Sequence, residues 1–251
     1  MKLLKIMKTT SSKYLYPVKA TGNNRREFIR KSIVLGTLTG VAGFSLITGC
    51  KDETGEDISP AEDLMREHGV LNRVMLIYDT CKMHLDKGEQ FPLDALINSA
   101  LIIRNFIEDY HEKLEEDFLF PRFEKAKELT DLVRVLRTQH QVGRKITDQL
   151  IQVSKSGNSS GKEDSQKLTT LLNNFNTMYR PHEAREDTIL FPALRKIISK
   201  HEYFALGEEF EDKEHELFGA DGFEVMVEKV ADIEKQLGIY DISKFTPLIY
   251  G

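Results

Sequence analysis

Two pairs of side chains in this 251-residue sequence have the types and the spacing to hold a metal ion. His111 and Glu115 are four residues apart, and so are His182 and Glu186. On a helix that separation puts both side chains on one face, so each pair offers an imidazole nitrogen and a carboxylate to the same point. The pairs open an eleven-residue stretch that occurs twice, at 111–121 and 182–192, with His, Glu, Glu, Leu, Phe and Pro identical in six places. Two such helices set face to face would aim two imidazoles and two carboxylates at one location, which is how a helical bundle builds a two-metal site. The offset of the stretch is 71 residues, and His68 and His140 are separated by 72, so the repeat reaches further. The candidate metal ligands are therefore His68, His111, Glu115, His140, His182 and Glu186. Nitrogen and carboxylate donors suit iron, manganese or zinc. Neither copy contains Cys, which argues against structural zinc and iron–sulfur clusters.

Four long helices are needed to carry these residues. Ser59-Pro60-Ala61-Glu62 reads as a helix start, with Ser59 as cap, Pro60 at the first helical position and Glu62 completing a capping box. The first helix is expected over 60–86, with Leu64, Leu71, Met75 and Tyr78 on the stripe that carries His68. The second is expected over 92–120, burying Ile103, Phe106, Ile107, Tyr110, Leu114 and Phe118, and ended or kinked by Pro121. The third is expected over 130–154, with Leu132, Val135, Leu136, Val142, Ile146, Leu150 and Val153 buried beside His140. A Gly/Ser-rich loop over 155–162 leads to a fourth over 164–199, which Pro181 should bend next to His182. Residues 208–218 look less regular, and 223–237 suggest a short fifth helix covering the bundle. Sustained alternation is absent, so the fold class is all-α, an up-down four-helix bundle over 60–200 followed by a helical extension over 201–251.

Other polar residues read more plainly. Glu112 and Glu183 also repeat and are taken as solvated helix charges, with support of the ligands as the alternative. His215 is taken as a surface or capping residue rather than an extra ligand, and His84 and His201 as surface residues at helix ends. Tyr110 and Tyr179 are read as packing residues that could also hydrogen-bond near the centre. Cys81 is read as a small buried residue.

Charge is unevenly placed. Residues 1–49 hold nine Lys/Arg and one acid, Glu27; removing these from totals of 35 and 40 leaves 26 basic and 39 acidic residues, a net charge of −13. A body this acidic excludes nucleic acid as an expected partner. Arg25-Arg26-Glu27-Phe28-Ile29-Arg30 resembles the twin-arginine export signal, with Asn24 where Ser or Thr is usual. The apolar run over 33–48 is short for a membrane span and suits a signal core. It ends in Ile47-Thr48-Gly49-Cys50, which resembles a lipoprotein processing box with Cys50 as the lipidated residue. Residues 1–49 are thus expected to be a signal peptide and 50–59 a linker, leaving the body exported and tethered at the outer side of the cytoplasmic membrane or in the periplasm.

The order of His68, His111 with Glu115, His140, and His182 with Glu186, together with the two Leu-Phe-Pro sequences, resembles the hemerythrin-like cation-binding domains. The resemblance covers roughly residues 60–200 and implies a four-helix bundle holding two non-haem iron ions bridged by two glutamates. It implies a small ligand: oxygen, nitric oxide or peroxide. The oxygen carriers of that family have five His ligands, and the additional one would fall at Arg144 here. A Glu also stands where their second motif has Asp. The departures point away from reversible oxygen transport and towards the symmetric relatives, associated with nitric oxide or peroxide chemistry, iron sensing or repair of iron centres, the last disfavoured by the absence of that branch's N-terminal Cys; an iron-sensing or metal-storage module is the remaining alternative.

Overall fold

The computed structural model describes residues 58–155, 162–219 and 222–247. The expected signal peptide, Cys50 and most of the Gly/Ser-rich loop lie outside the described residues. All regular structure among the described residues is helical.

Helix α1 is Pro60–Lys87. The Ser59 hydroxyl accepts the Glu62 backbone N–H at 3.3 Å, filling one of the bonds a helix start leaves open. At the other end Gly88 takes φ 67°, and the turn closes with Gly88 N–H on Leu85 and Glu89 N–H on His84. Helix α2 spans 93–126 without a break: α-helical Leu93–Ile102, π-helical Ile103–His111, α-helical Glu112–Leu114, π-helical Glu115–Leu119 and α-helical Phe120–Ala126. Helix α3 is Thr130–Lys155. Helix α4 spans 162–197, with a π-helical segment at Glu186–Leu190 between Lys162–Arg185 and Phe191–Ile197.

These four helices close a ring of contacts: α1 on α2, α2 on α3, α3 on α4, and α4 back on α1. Leu64, Leu71, Met75 and Tyr78 of α1 are all buried, as the first stripe predicts. The α3 stripe needs correction. Val135 and Val142 are 43% and 40% exposed, because the buried line runs through Val133, Leu136, His140, Gly143, Thr147 and Leu150.

Pro121 does not end its helix. Proline lacks an N–H, and its ring crowds the carbonyl four residues back in an α-helix. The preceding turn widens instead: the Phe120 N–H reaches the Glu115 carbonyl, a π-type bond. Phe191 N–H does the same with Glu186, one residue before Pro192. Helix α2 stops at Lys127 and Leu129, which take φ 57° and 51°. The segment taken as irregular is one continuous helix, α5, Lys200–Phe218, capped by the Ser199 hydroxyl on Glu202 N–H at 3.1 Å. The amphipathic stretch beyond it is therefore a sixth helix, α6, Gly222–Gln236. Both pack on α1 and α2. Phe210 meets Phe118 edge-on at 5.7 Å, Phe218 meets Phe106 and Tyr110 at 5.6 and 5.4 Å, and Arg73 of α1 grips Glu234 of α6 through two nitrogens at 2.9 and 2.6 Å.

Candidate metal centre

The bundle brings all six predicted residues to one place. His68 comes from α1, His111 and Glu115 from α2, His140 from α3, and His182 and Glu186 from α4. None is more than 4% exposed. His68 Nε2 lies 3.4 Å from Glu186, His182 Nε2 3.0 Å from the same carboxylate, His140 Nε2 3.3 Å from Glu115, and His111 Nε2 3.9 Å from Glu115. Two overlapping groups of donor atoms result: Glu115, His140, His182 and Glu186, and His68, His111 and Glu115, with every donor within 4.8 Å of its fellows.

Each imidazole is fixed from behind. His68 Nδ1 is 2.8 Å from Asp187 of α4, His182 Nδ1 is 2.9 Å from the Gln139 amide oxygen of α3, His140 Nδ1 is 3.1 Å from Glu116 of α2, and His111 Nδ1 is 2.7 Å from Glu67 of α1. Every partner accepts, so each Nδ1 donates its proton outward and each Nε2 is the ring nitrogen left to face an ion. The four bonds form a closed circuit in which every helix supports the histidine of its neighbour.

This arrangement lacks something that a cation would supply. His140 and His182 place their Nε2 atoms 3.3 Å apart. Both oxygens of Glu115 and both of Glu186 are buried without a hydrogen-bond partner. Leaving a single buried polar atom unsatisfied costs about 1–3 kcal/mol. Burial and the Glu186 charge push the Glu115 carboxyl well above its usual range. Burial would raise Glu186 too, but the His182 and His68 imidazoles outweigh it and hold Glu186 low. Burial lowers His111 and His140 towards the neutral, metal-ligating form. The donor set fits one or two cations with mixed nitrogen and oxygen preference.

The model of the hemerythrin HHE cation-binding domain matches residues 59–194. The chain belongs to the hemerythrin HHE family. An uncharacterized protein of Mycobacterium bovis is 46% identical over 225 residues, covering 85% of this chain and 88% of that protein, and uncharacterized proteins of two Mycobacterium tuberculosis strains match to the same extent. No solved structure matches the chain.

The hemerythrin frame explains several residues that sequence reasoning placed elsewhere. Glu112 and Glu183 are 1% and 4% exposed, so they are not solvated charges. Glu112 accepts the Tyr179 hydroxyl at 2.6 Å and pairs with Arg144 at 2.7 Å. Glu183 accepts the Asn72 amide at 2.5 Å. Burial pushes both carboxyls up to about 8, despite Arg144 beside Glu112 and His68 near Glu183. Arg144, at the position of an additional histidine, instead binds Glu112 and Glu116 at 2.7 and 2.8 Å. Tyr179 hydrogen-bonds near the centre, and Tyr110 is buried by Phe106 and Phe218. His215 and His201 are exposed, and His84 pairs with Glu89 at 3.0 Å. From α5 it is the neighbouring Glu214 that turns inward, to the buried Asp63 and Glu67. The four residues behind the imidazoles were missed. Their signal was in the repeat: Glu67 and Gln139 are 72 apart, Glu116 and Asp187 are 71 apart, and each adjoins a predicted ligand.

Proposed function

We propose that this is an exported two-iron protein that binds a small ligand, namely oxygen, nitric oxide or peroxide. One observation carries the reading: Glu115 and Glu186 are fully buried, lack hydrogen-bond partners, and each faces imidazole nitrogens from two helices. Glu115 and Glu186 would hold the ions together with His68 and His111 at one position and His140 and His182 at the other. Bound iron would supply open coordination positions and reversible one-electron chemistry to the ligand. The chain's own residues hold the imidazole tautomers through Asp187, Glu67, Glu116 and Gln139, exclude water by burying all six donors, and limit what can enter to small molecules. Stacking of Phe120 on His140 and Phe191 on His68, at 5.5 and 5.6 Å, closes the Leu-Phe-Pro side with apolar surface.

The twin-arginine-like and lipoprotein-like stretches support export and tethering through Cys50. A route for folded proteins would let the metal be loaded before export.

Elemental analysis tests the centre directly. Protein from iron-supplemented cells should carry about two iron atoms per chain, and Glu115→Ala with Glu186→Ala should remove both. A single zinc ion, or no metal, overturns the reading. Spectra after exposure to each gas and to peroxide then decide the role: a reversible oxygen adduct indicates carriage, and turnover of peroxide or nitric oxide indicates an enzyme. Metal-dependent folding with neither points to sensing or storage.

A further inference from the structure

The donors repeat symmetrically, but the residues behind them do not. His68 and His111 are backed by two carboxylates, Asp187 at 2.8 Å and Glu67 at 2.7 Å. His140 and His182 are backed by one carboxylate, Glu116 at 3.1 Å, and one neutral amide oxygen, Gln139 at 2.9 Å. The wider surroundings differ as well. Glu116 is offset by two cations, Lys113 at 2.5 Å and Arg144 at 2.8 Å. Glu67 has more acid beside it, with oxygens of Asp63 and Glu214 within 4.8 Å, all three buried. Arg66 lies 3.7 Å from Asp63, and Glu214 accepts the Phe223 N–H at 2.7 Å.

An imidazole that donates Nδ1–H to a carboxylate gives a more basic Nε2 than one that donates to an amide, and such outer partners typically change metal affinity by about 10–100-fold. We propose that the two metal positions are unequal: the one at His68 and His111 binds more tightly and fills first. Glu67 and Gln139 are the positioning residues that set the order. They occupy equivalent places in the two repeats, one residue before His68 and His140. They differ only by a carboxylate against an amide of the same shape, so one isosteric exchange carries the asymmetry.

The inference rests on the two-metal reading, and the experiment separates the two. Metal-free full-length protein is titrated with cobalt(II), followed by calorimetry and by the visible absorption of the bound ion. Two steps separated by at least about 10-fold are expected. His182→Ala should keep the tight step and His111→Ala should lose it. Glu67→Gln should weaken the tight step by about 10–100-fold, and Gln139→Glu should strengthen the weak one. That gain is a change a merely structural role would not produce. The combined Glu67→Gln, Gln139→Glu protein should reverse the order, so that His111→Ala in that background keeps the tight step. Both exchanges preserve volume, and circular dichroism checks that each variant is folded. Two equal steps in the wild type, or a tight step unchanged in folded Glu67→Gln, overturns the inequality while leaving the two-metal centre standing. Absence of any cobalt binding overturns both.

Discussion

Two glycines inside the helices should respond to the same substitution in opposite directions. Gly69 and Gly143 lie in the interiors of α1 and α3. Alanine in a helix interior is favoured over glycine by about 0.8–1 kcal/mol. At Gly69 an added Cβ meets nothing within 4 Å, so Gly69→Ala should stabilise by about that amount. At Gly143 the Cβ would fall 2.0 Å from the Tyr179 hydroxyl oxygen, 2.8 Å from Cζ and 3.0 Å from Cε2. Tyr179 has little room to retreat, because its ring lies 4.3 Å from Phe175 and 5.4 Å from His182, centroid to centroid. Retreat also breaks its 2.6 Å bond to buried Glu112. Overpacking costs about 1–3 kcal/mol, and leaving the buried Glu112 carboxyl without this bond about 1–3 kcal/mol. After subtracting the helix gain, Gly143→Ala should destabilise by about 1–5 kcal/mol.

Urea denaturation of the metal-free protein, followed by circular dichroism, reads these changes as shifts in midpoint at constant slope. Tyr179→Phe removes the atom that the new Cβ would strike hardest. In that background Gly143→Ala should therefore cost at least about 1 kcal/mol less, a coupling that a double-mutant cycle measures. The reasoning fails if Gly143→Ala is neutral or stabilising, or if its cost is the same in both backgrounds. In the first case the close approach would not be what requires glycine at 143.

Three further outcomes follow from other residues. Burial pushes the Glu108 carboxyl from 4.5 up to about 7, with Thr147, Arg104 and Arg144 only partly opposing it. A carboxyl raised in the fold contributes stability that is fully present below pH 4.5 and is lost as pH rises through about 7; metal-free Glu108→Gln should flatten that decline, worth about 3 kcal/mol across the window, and an unchanged slope in urea titrations at several pH values would refute it. Cys81 is fully buried, and burial pushes its thiol up to about 12, so alkylation of its peptide at pH 8, read by mass spectrometry, should keep pace with unfolding; rapid labelling of the folded protein would contradict this. Arg25→Lys with Arg26→Lys should strand the protein in the cytoplasm, and Cys50→Ala should release exported protein from membranes; cell fractionation showing neither change would remove export and tethering from the reading.

The long helices and the six donors were legible because both leave periodic marks. A helix of 26 or 28 residues repeats its apolar stripe many times, and the His–Glu spacing recurs at a fixed offset. Of the two outcomes expected at Pro121, ending the helix fails, because that rule assumes the helix stays α-helical, whereas here the preceding turn widens to a π-type bond. Val135 and Val142 misled because they are one position round from the buried line, and a valine does not reveal which side it faces. Helix α5 was hidden by its acidic run, although Ser199 capped it and Tyr203, Leu206 and Phe210 kept helical spacing. Glu112 and Glu183 looked like ordinary helix charges because their partners, Arg144 and Asn72, lie on helices far away in sequence.

The circuit behind the imidazoles has a consequence for how the site and the fold depend on each other. Each supporting residue is the immediate neighbour of a donor: Glu67 of His68, Glu116 of Glu115, Gln139 of His140, and Asp187 of Glu186. Each supports a histidine on the adjacent helix, so a donor and the support for another donor share one piece of backbone. Moving one helix therefore disturbs two histidines at once, its own and the one it holds. A cation drawing the four Nε2 atoms together would in turn pull on all four helices through these bonds. Ligand binding to the native state stabilises it by mass action, but the circuit makes that stabilisation depend on the supports as well as the donors. Removing one Nδ1 acceptor should then lower both metal affinity and the gain in unfolding midpoint on metal addition. An exposed charge pair such as Arg134 with Asp131, 3.0 Å apart on α3, should leave both unchanged when neutralised.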